Sequence, residues 1–205
     1  MTDKAEVLRA EHLWIVASTL GALVGAALAH FLFSGVGFDR NPVGQFSDQA
    51  WFAATIGLCF GVAQAGVLVC VVKGTLAAKL VLFLLWVGAS TAGTVFTLLP
   101  LWWVDPDLLG YFLFLIFVPM LPGIIVLAVL QGLILTFLFS AVTDWLPRTG
   151  AGGIVGAVLG LGVGFVSSGI LFDSFVWQEM SMEIIWAAVF GGSIGIAQNR
   201  ELEML

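Results

Sequence analysis

The sequence predicts an all-α integral membrane protein in which six transmembrane helices form three tandem two-helix units. Of its 205 residues, 60% are hydrophobic and only 10% are charged, whereas soluble domains carry roughly 25% charged residues. Six apolar segments approach the roughly 20 residues that a membrane-spanning helix needs. Gln64, Gln131 and Gln198 recur at a spacing of 67 residues inside apolar stretches, and a fixed period predicts a repeated structural unit. We therefore expect a single transmembrane domain over residues 1–205.

The predicted spans follow one another with short connections. They cover residues 12–33, 51–72, 79–99, 115–139, 153–171 and 183–197. The stretch 108–139 is too long for one straight span and contains Pro119 and Pro122, and proline kinks a helix or ends it. We therefore expect a short outer-leaflet helix over residues 108–118, followed by a span that begins near Met120.

The first helix of each unit carries a second sign of the repeat. The segment WIVASTLG at 14–21 matches WVGASTAG at 86–93, and we align the third copy with GIVGAVLG at 153–160. The expected units are residues 12–72, 79–140 and 150–198. Because each unit contains two spans, successive units share one orientation and are related by an axis along the membrane normal. The pattern favours a pseudo-threefold ring of six helices, and a bundle without rotational order is the alternative.

Small residues recur at helical spacing on most of the predicted spans. Residues four apart lie on one face of a helix, and small residues there let two helix backbones approach closely in lipid. The glycines expected at helix contacts are Gly21, Gly25, Gly57, Gly61, Gly93, Gly160, Gly164, Gly191 and Gly195.

The distribution of charge predicts the topology. With the N-terminus in the cytoplasm, six of the seven basic residues fall on the inner side, as the positive-inside rule requires. Arg40 is the exception. We expect cytoplasmic termini, an acidic outer face and a bacterial inner (cytoplasmic) membrane. Trp14 and Trp145 are expected to mark the inner boundary as interfacial anchors.

The three glutamines allow two interpretations. An amide buried in hydrocarbon needs hydrogen-bond partners. The glutamines can therefore join neighbouring helices, and each hydrogen bond then contributes roughly 0.6–2 kcal/mol to helix association. Alternatively, they line an axial path for a solute or water. The orientation of their side chains, toward a wet cavity or buried between helices, discriminates between these two interpretations.

Few other residues suggest chemistry. His30 is a candidate pigment ligand or a partly buried hydrogen-bonding residue. The middle of every predicted span lacks Asp, Glu, Lys and Arg, which argues against an ion-driven pump. Asp173, Glu179 and Glu183 would be the only plausible acids of a lipid-modifying enzyme, and no base or nucleophile accompanies them. Phosphate-loop, dinucleotide and metalloprotease motifs are absent from the sequence.

Two resemblances bear on the architecture. The GxxxGxxQ pattern of the paired spans resembles one found in small bacterial membrane proteins, and it implies no activity. The plan of three two-helix units is similar to that of mitochondrial carriers, but the proline-acid-basic signature of that family is absent from the ends of the odd helices.

The sequence therefore favours a non-enzymatic accessory or structural subunit of a larger membrane complex. Its expected partners are the lipid bilayer and other membrane subunits, with no nucleic acid, nucleotide, catalytic residue or metal. No cofactor is expected apart from a possible bound lipid or pigment. The alternative is a small-solute transporter or channel component in which Gln64, Gln131 and Gln198 line the axis.

Overall fold

The computed structural model describes residues 4–33, 42–98, 113–139, 145–171 and 175–199. Within these ranges the chain is helical apart from a short turn and forms no strand, which confirms the predicted all-α class. The helices are α1 (Lys4–Phe33), α2 (Pro42–Val71), α3 (Leu76–Leu98), α4 (Leu113–Phe139), α5 (Trp145–Leu171) and α6 (Phe175–Gln198).

Four of the helices contain segments long and apolar enough to cross a membrane. These segments are Ala10–Phe33, Asp48–Val71, Leu76–Thr97 and Trp145–Gly164. The apolar stretches described in α4 and α6, Met120–Thr136 and Ile184–Gln198, are shorter. The structure is thus consistent with membrane integration, and the count of six spans stays a prediction.

Four helices begin eight or nine residues before the predicted spans, which start at residues 12, 51, 153 and 183: α1 begins at Lys4, α2 at Pro42, α5 at Trp145 and α6 at Phe175. Helix α5 begins at Trp145 rather than at residue 153, because Pro147 falls in its first turn, where a missing backbone N–H costs little. Helix α4 continues through Pro119 and Pro122 without the expected break. Of the predicted outer-leaflet helix, residues 108–112 lie outside the described residues and 113–118 belong to α4.

Close packing accounts for the continuity of α4. A Cβ atom added at Gly123 would overlap the backbone of Thr97 and Phe96 in α3, so the two backbones nearly touch just after the second proline. A helix that ended there would leave polar backbone groups without partners in an apolar surrounding. Tertiary contact therefore outweighs the local effect of the prolines.

The helices form a closed ring. Each packs against the next along the chain, and α6 packs against α1. Three seams join the helices of each predicted unit, namely α1–α2, α3–α4 and α5–α6. The other three, α2–α3, α4–α5 and α6–α1, join different units.

Helix α1 buries small side chains and exposes large apolar ones, which is the reverse of a helix in a soluble protein. Helix α1 buries small residues such as Ala22, Ala26 and Ala29 and exposes Leu20 and Val24, each 52% accessible. Close approach of small residues is how helices associate in lipid, where burying large apolar groups yields no advantage. Extended exposed apolar surface of this kind marks a membrane or an interaction face.

Candidate functional site

The three glutamine side chains meet inside the helix ring and bond to one another. Gln131 Nε2 donates to Gln64 Oε1 at 3.3 Å, Gln198 Nε2 to Gln131 Oε1 at 2.9 Å, and Gln64 Nε2 to Gln198 Oε1 at 3.3 Å. All three residues are fully buried. The result is a closed circle of amides, which we call the glutamine ring.

Hydroxyl groups on the odd helices support the ring. Each amide also donates to one of them: Gln64 to Ser18 Oγ at 2.9 Å, Gln131 to Ser90 Oγ at 3.0 Å, and Gln198 to Thr149 Oγ1 at 2.8 Å. Both N–H groups of every glutamine are therefore occupied. Since buried polar groups are costly without partners, this pairing is what permits three amides inside an apolar bundle.

An indole group sets the direction of the bonds around the ring. Trp86 Nε1 donates to Gln64 Oε1 at 3.1 Å. An indole nitrogen can only donate, so the Gln64 atom that faces it is the oxygen. That oxygen also accepts from Gln131, and the remaining amides then follow in one rotational sense.

Three tryptophans form a second layer beside the glutamine ring. Trp14, Trp86 and Trp145 are fully buried, and their ring centroids lie 5.8, 6.3 and 5.5 Å apart in edge-to-face geometry. We call this group the tryptophan triangle. The prediction that Trp14 and Trp145 are interfacial anchors is wrong, because their side chains point into the bundle, where edge-to-face contacts favour aromatic pairs.

The triangle also corrects the alignment of the third copy. Trp145 and Thr149 take the places that Trp14 and Ser18 hold in α1 and that Trp86 and Ser90 hold in α3. The W-x-x-x-S/T pattern therefore aligns the segment that begins at Trp145, rather than residues 153–160, with residues 14–21 and 86–93. The signal was present in the sequence as W-x-x-x-S/T, and it was missed because Pro147 and the glycines that follow resembled a connection.

Apolar residues close the axis on both sides of the glutamine ring. One helical turn before each glutamine lie Phe60, Leu127 and Ile194, and one turn after lie Leu68 and Leu135. All five are at most 2% accessible. The amides are therefore enclosed between two apolar clusters, one of which contains the tryptophan triangle.

Most of the predicted packing glycines lie where another helix leaves no room for a side chain. An added Cβ would lie 2.7 Å from Ala63 Cβ at Gly21, 2.8 Å from Ile56 Cα at Gly25, and 2.7 Å from Leu127 Cα at Gly93. Similar close contacts occur at Gly57, Gly61, Gly160, Gly191 and Gly195. Gly164 is buried. Gly156, which continues the stripe of Gly160 and Gly164, packs against α6 at Phe190 and Ser193, and Gly152, which the stripe did not include, packs against Ser193 and Ala197.

Other candidate residues are not brought to this site. His30 is half-buried in the last turn of α1, where it has an interaction partner. The side chains of Glu179 and Glu183, and the whole of Asp173, lie outside the described residues. Among the residues that are described, no three His, Cys, Asp or Glu side chains group closely enough to hold a metal ion.

Comparisons of the chain with models of protein families, with curated proteins and with solved structures find no match. The site therefore has to be interpreted from its own geometry. Its amides bond to one another, to three hydroxyl groups and to the indole N–H of Trp86, and apolar side chains enclose them.

Proposed function

We propose that this chain is a non-enzymatic subunit of a larger membrane assembly, in which its rigid bundle presents outward faces to lipid and to neighbouring membrane proteins. The observation that carries the proposal is that every donor of the glutamine ring is paired. Every amide N–H is used within the protein, so these side chains are committed to holding six helices together. A buried network of paired donors favours one packing arrangement over its alternatives.

The architecture we propose is three tandem units around a pseudo-threefold axis. Equivalent contacts support it: Gly61 packs against Ser90 and Val87 at the α2–α3 seam, and Gly195 packs against Ser18 and Ile15 at the α6–α1 seam. We further propose six spans, cytoplasmic termini and a bacterial inner membrane, which the distribution of basic residues supports.

Transport of a small neutral solute is the second candidate function. The observation in its favour is that three polar side chains converge on the axis of an otherwise apolar bundle. Such a path requires the ring to open and the apolar layers formed by residues such as Phe60 and Leu68 to separate. Under this proposal the ring is a gate, and its hydrogen bonds break in each transport cycle.

Purification of the tagged chain from its native membrane in mild detergent, followed by mass spectrometry, tests the subunit proposal. We expect membrane proteins in fixed stoichiometry with the chain, together with retained lipid or pigment where one is bound. A chain that purifies alone or only with copies of itself contradicts the proposal.

Liposome flux measurements test the alternative. They compare the native chain with a variant in which Gln64, Gln131 and Gln198 are all replaced by leucine. Gly162→Ala serves as a control, since a Cβ at this position meets nothing within 4 Å. Flux of a small neutral solute that changes in the triple variant and not in the control supports transport. Absence of flux in the native chain removes that candidate.

A further inference from the structure

Two buried indole groups of the tryptophan triangle have no hydrogen-bond partner. Trp14 Nε1 and Trp145 Nε1 are unpaired, whereas Trp86 Nε1 is bonded to Gln64. Both side chains are 0% accessible. A buried donor normally has a partner, either in the protein or as ordered water. These two indole N–H groups therefore indicate a hydrogen-bond acceptor beside them.

Two acceptor positions of the glutamine ring are also open. A carbonyl oxygen accepts two hydrogen bonds. Gln64 Oε1 accepts from both Gln131 and Trp86 and is saturated. Gln131 Oε1 accepts only from Gln198, and Gln198 Oε1 accepts only from Gln64. Each of these two oxygens therefore retains one lone pair.

The unpaired donors and the open acceptors lie on four consecutive helices of the ring, with Gln131 on α4, Trp145 on α5, Gln198 on α6 and Trp14 on α1. Gln131 and Gln198 are directly bonded at 2.9 Å, and the Trp14–Trp145 edge is the widest of the triangle at 6.3 Å. Trp145 Cδ1, the atom bonded to Nε1, lies 3.4 Å from a Cβ placed on Gly132, the neighbour of Gln131. In the equivalent position at α2–α3, the Trp86 indole reaches the glutamine ring directly.

A water molecule matches two donors and two acceptors better than a monatomic anion or a small cation does. A chloride ion would accept from the indoles but would face two carbonyl oxygens. An ammonium ion would donate to the carbonyls but would face two N–H groups. A water molecule accepts two hydrogen bonds and donates two, and a buried water typically makes about three bonds to otherwise unpaired groups.

We propose that a single water molecule is bound between Trp14, Trp145, Gln131 and Gln198, accepting from both indole N–H groups and donating to both amide oxygens. It completes the polar layer of the bundle, so that every glutamine and every indole of the triangle is paired. The water is a fixed structural component rather than part of a continuous hydrated path, because apolar residues lie on both sides of the layer.

Nuclear magnetic resonance of the full chain, labelled with ¹⁵N-tryptophan in detergent micelles, tests this assignment. The indole signals are assigned by individual Trp→Phe substitutions, and contacts with water are recorded in the rotating frame, where dipolar contact and chemical exchange give opposite signs. We expect dipolar water cross-peaks at Trp14 and Trp145 and none at Trp86. Their absence at Trp14 and Trp145, or equal cross-peaks at all three, overturns the proposal.

A substitution sharpens the test. Trp145→Phe removes one of the four partners, and the water cross-peak of Trp14 should fall at least twofold while Trp86 still shows no water cross-peak. Trp186→Phe is the matched control, because Trp186 Nε1 is also buried and unpaired but the residue stacks on Phe190 in the other apolar cluster. An unchanged Trp14 cross-peak in Trp145→Phe contradicts the proposal. If that variant does not fold, the comparison of Trp14 and Trp145 with Trp86 in the native chain still decides.

Discussion

The α2–α3 and α4–α5 seams occupy equivalent places in the ring but are packed differently. In α2, Gly57 and Gly61 precede Gln64, and a Cβ on Gly57 would lie 2.7 Å from Thr91 Cα. In α4, Ile124 and Ala128 hold the same positions before Gln131. There the glycine lies on the opposite helix, where a Cβ on Gly153 would lie 2.6 Å from Ile124 Cγ2.

The two seams differ in which part of the structure must move when a side chain is added to the glycine. At α2–α3, backbone meets backbone, and a side chain at Gly57 can be accommodated only if a whole helix shifts. At α4–α5, the contact is a γ-methyl group of the Ile124 side chain rather than backbone, so the side chain can shift without moving a whole helix, although a β-branched residue in a helix keeps one preferred χ1 rotamer. The comparison indicates that the first seam is rigid and the second is adaptable, although both flank the same glutamine ring.

The largest expected effect follows from transferring the isoleucine of one seam to the other. Gly57→Ile should lower the free energy of unfolding by roughly 3 kcal/mol, at the upper end of the cost of overpacking, because Thr91 and Ser90 present backbone atoms at this point. Equilibrium unfolding in mixed micelles measures the change. Gly66→Ile on the same helix is the control, since a Cβ there meets nothing within 4 Å. Equal loss of stability in both variants would show that helix propensity, and not the seam, sets the effect.

Replacement of Gln64 on α2 and of Gln131 on α4 should also destabilise the protein to different extents. Gln64→Leu removes the acceptor of both Gln131 and Trp86, whereas Gln131→Leu leaves Trp86 bonded to Gln64. We expect each single variant to cost about 1–3 kcal/mol, with Gln64→Leu the more severe, because it leaves an additional buried donor unpaired. Thermal unfolding in one detergent compares them. A smaller loss for Gln64→Leu than for Gln131→Leu contradicts the assigned bonding pattern.

A smaller effect is expected at the connection of α2 to α3. Lys79 Nζ donates to the carbonyl of Val69 at 2.7 Å, which occupies one of the free carbonyls in the last turn of α2. Lys79→Met should destabilise the protein by about 1 kcal/mol, as for the loss of one ordinary hydrogen bond. The exposed Lys73 supplies the matched control, Lys73→Met. If both substitutions have the same effect, this bond does not anchor the rigid seam.

The smallest effect is expected at the adaptable seam. Gly153→Ala should change the free energy of unfolding by less than about 1 kcal/mol, since only the Ile124 side chain has to shift and the cost is offset by the preference of the helix for alanine over glycine, up to roughly 1 kcal/mol. Gly162→Ala, on the same helix and facing open space, measures the propensity gain alone. A loss well above this bound would show that α4–α5 is as unyielding as α2–α3.

Much of the bundle could be predicted from local sequence. The apolar composition indicated helices in a membrane, and the spacing of Gln64, Gln131 and Gln198 singled out the residues that the structure brings together. The glycines of α1 and α2 could be identified because they repeat at helical spacing. The glycine pattern depends on residues close together in the chain, where the period of the helix governs which side chains share a face, whereas the glutamines were identified by their recurrence every 67 residues.

Other features could not be obtained from local pattern. Pro119 suggested a break, yet α4 runs through it. Trp145 suggested a membrane interface, yet it is buried against Trp14 and Trp86. Each prediction relied on the usual structural preference of the residue, proline at helix breaks and tryptophan at the membrane interface. In each case, contacts with other helices outweighed that preference.

The amino-acid sequence by itself determined the helical class, the apolar character and the positions of the three amides, because periodicity and composition act within single helices. Only the tertiary structure decided that the amides bond in a closed circle, that Thr149 supports it and Trp145 completes the tryptophan triangle, and that one seam is rigid while its counterpart is adaptable. These outcomes depend on distances of a few ångströms between residues far apart in the chain. Such distances are set by the packing of all six helices together.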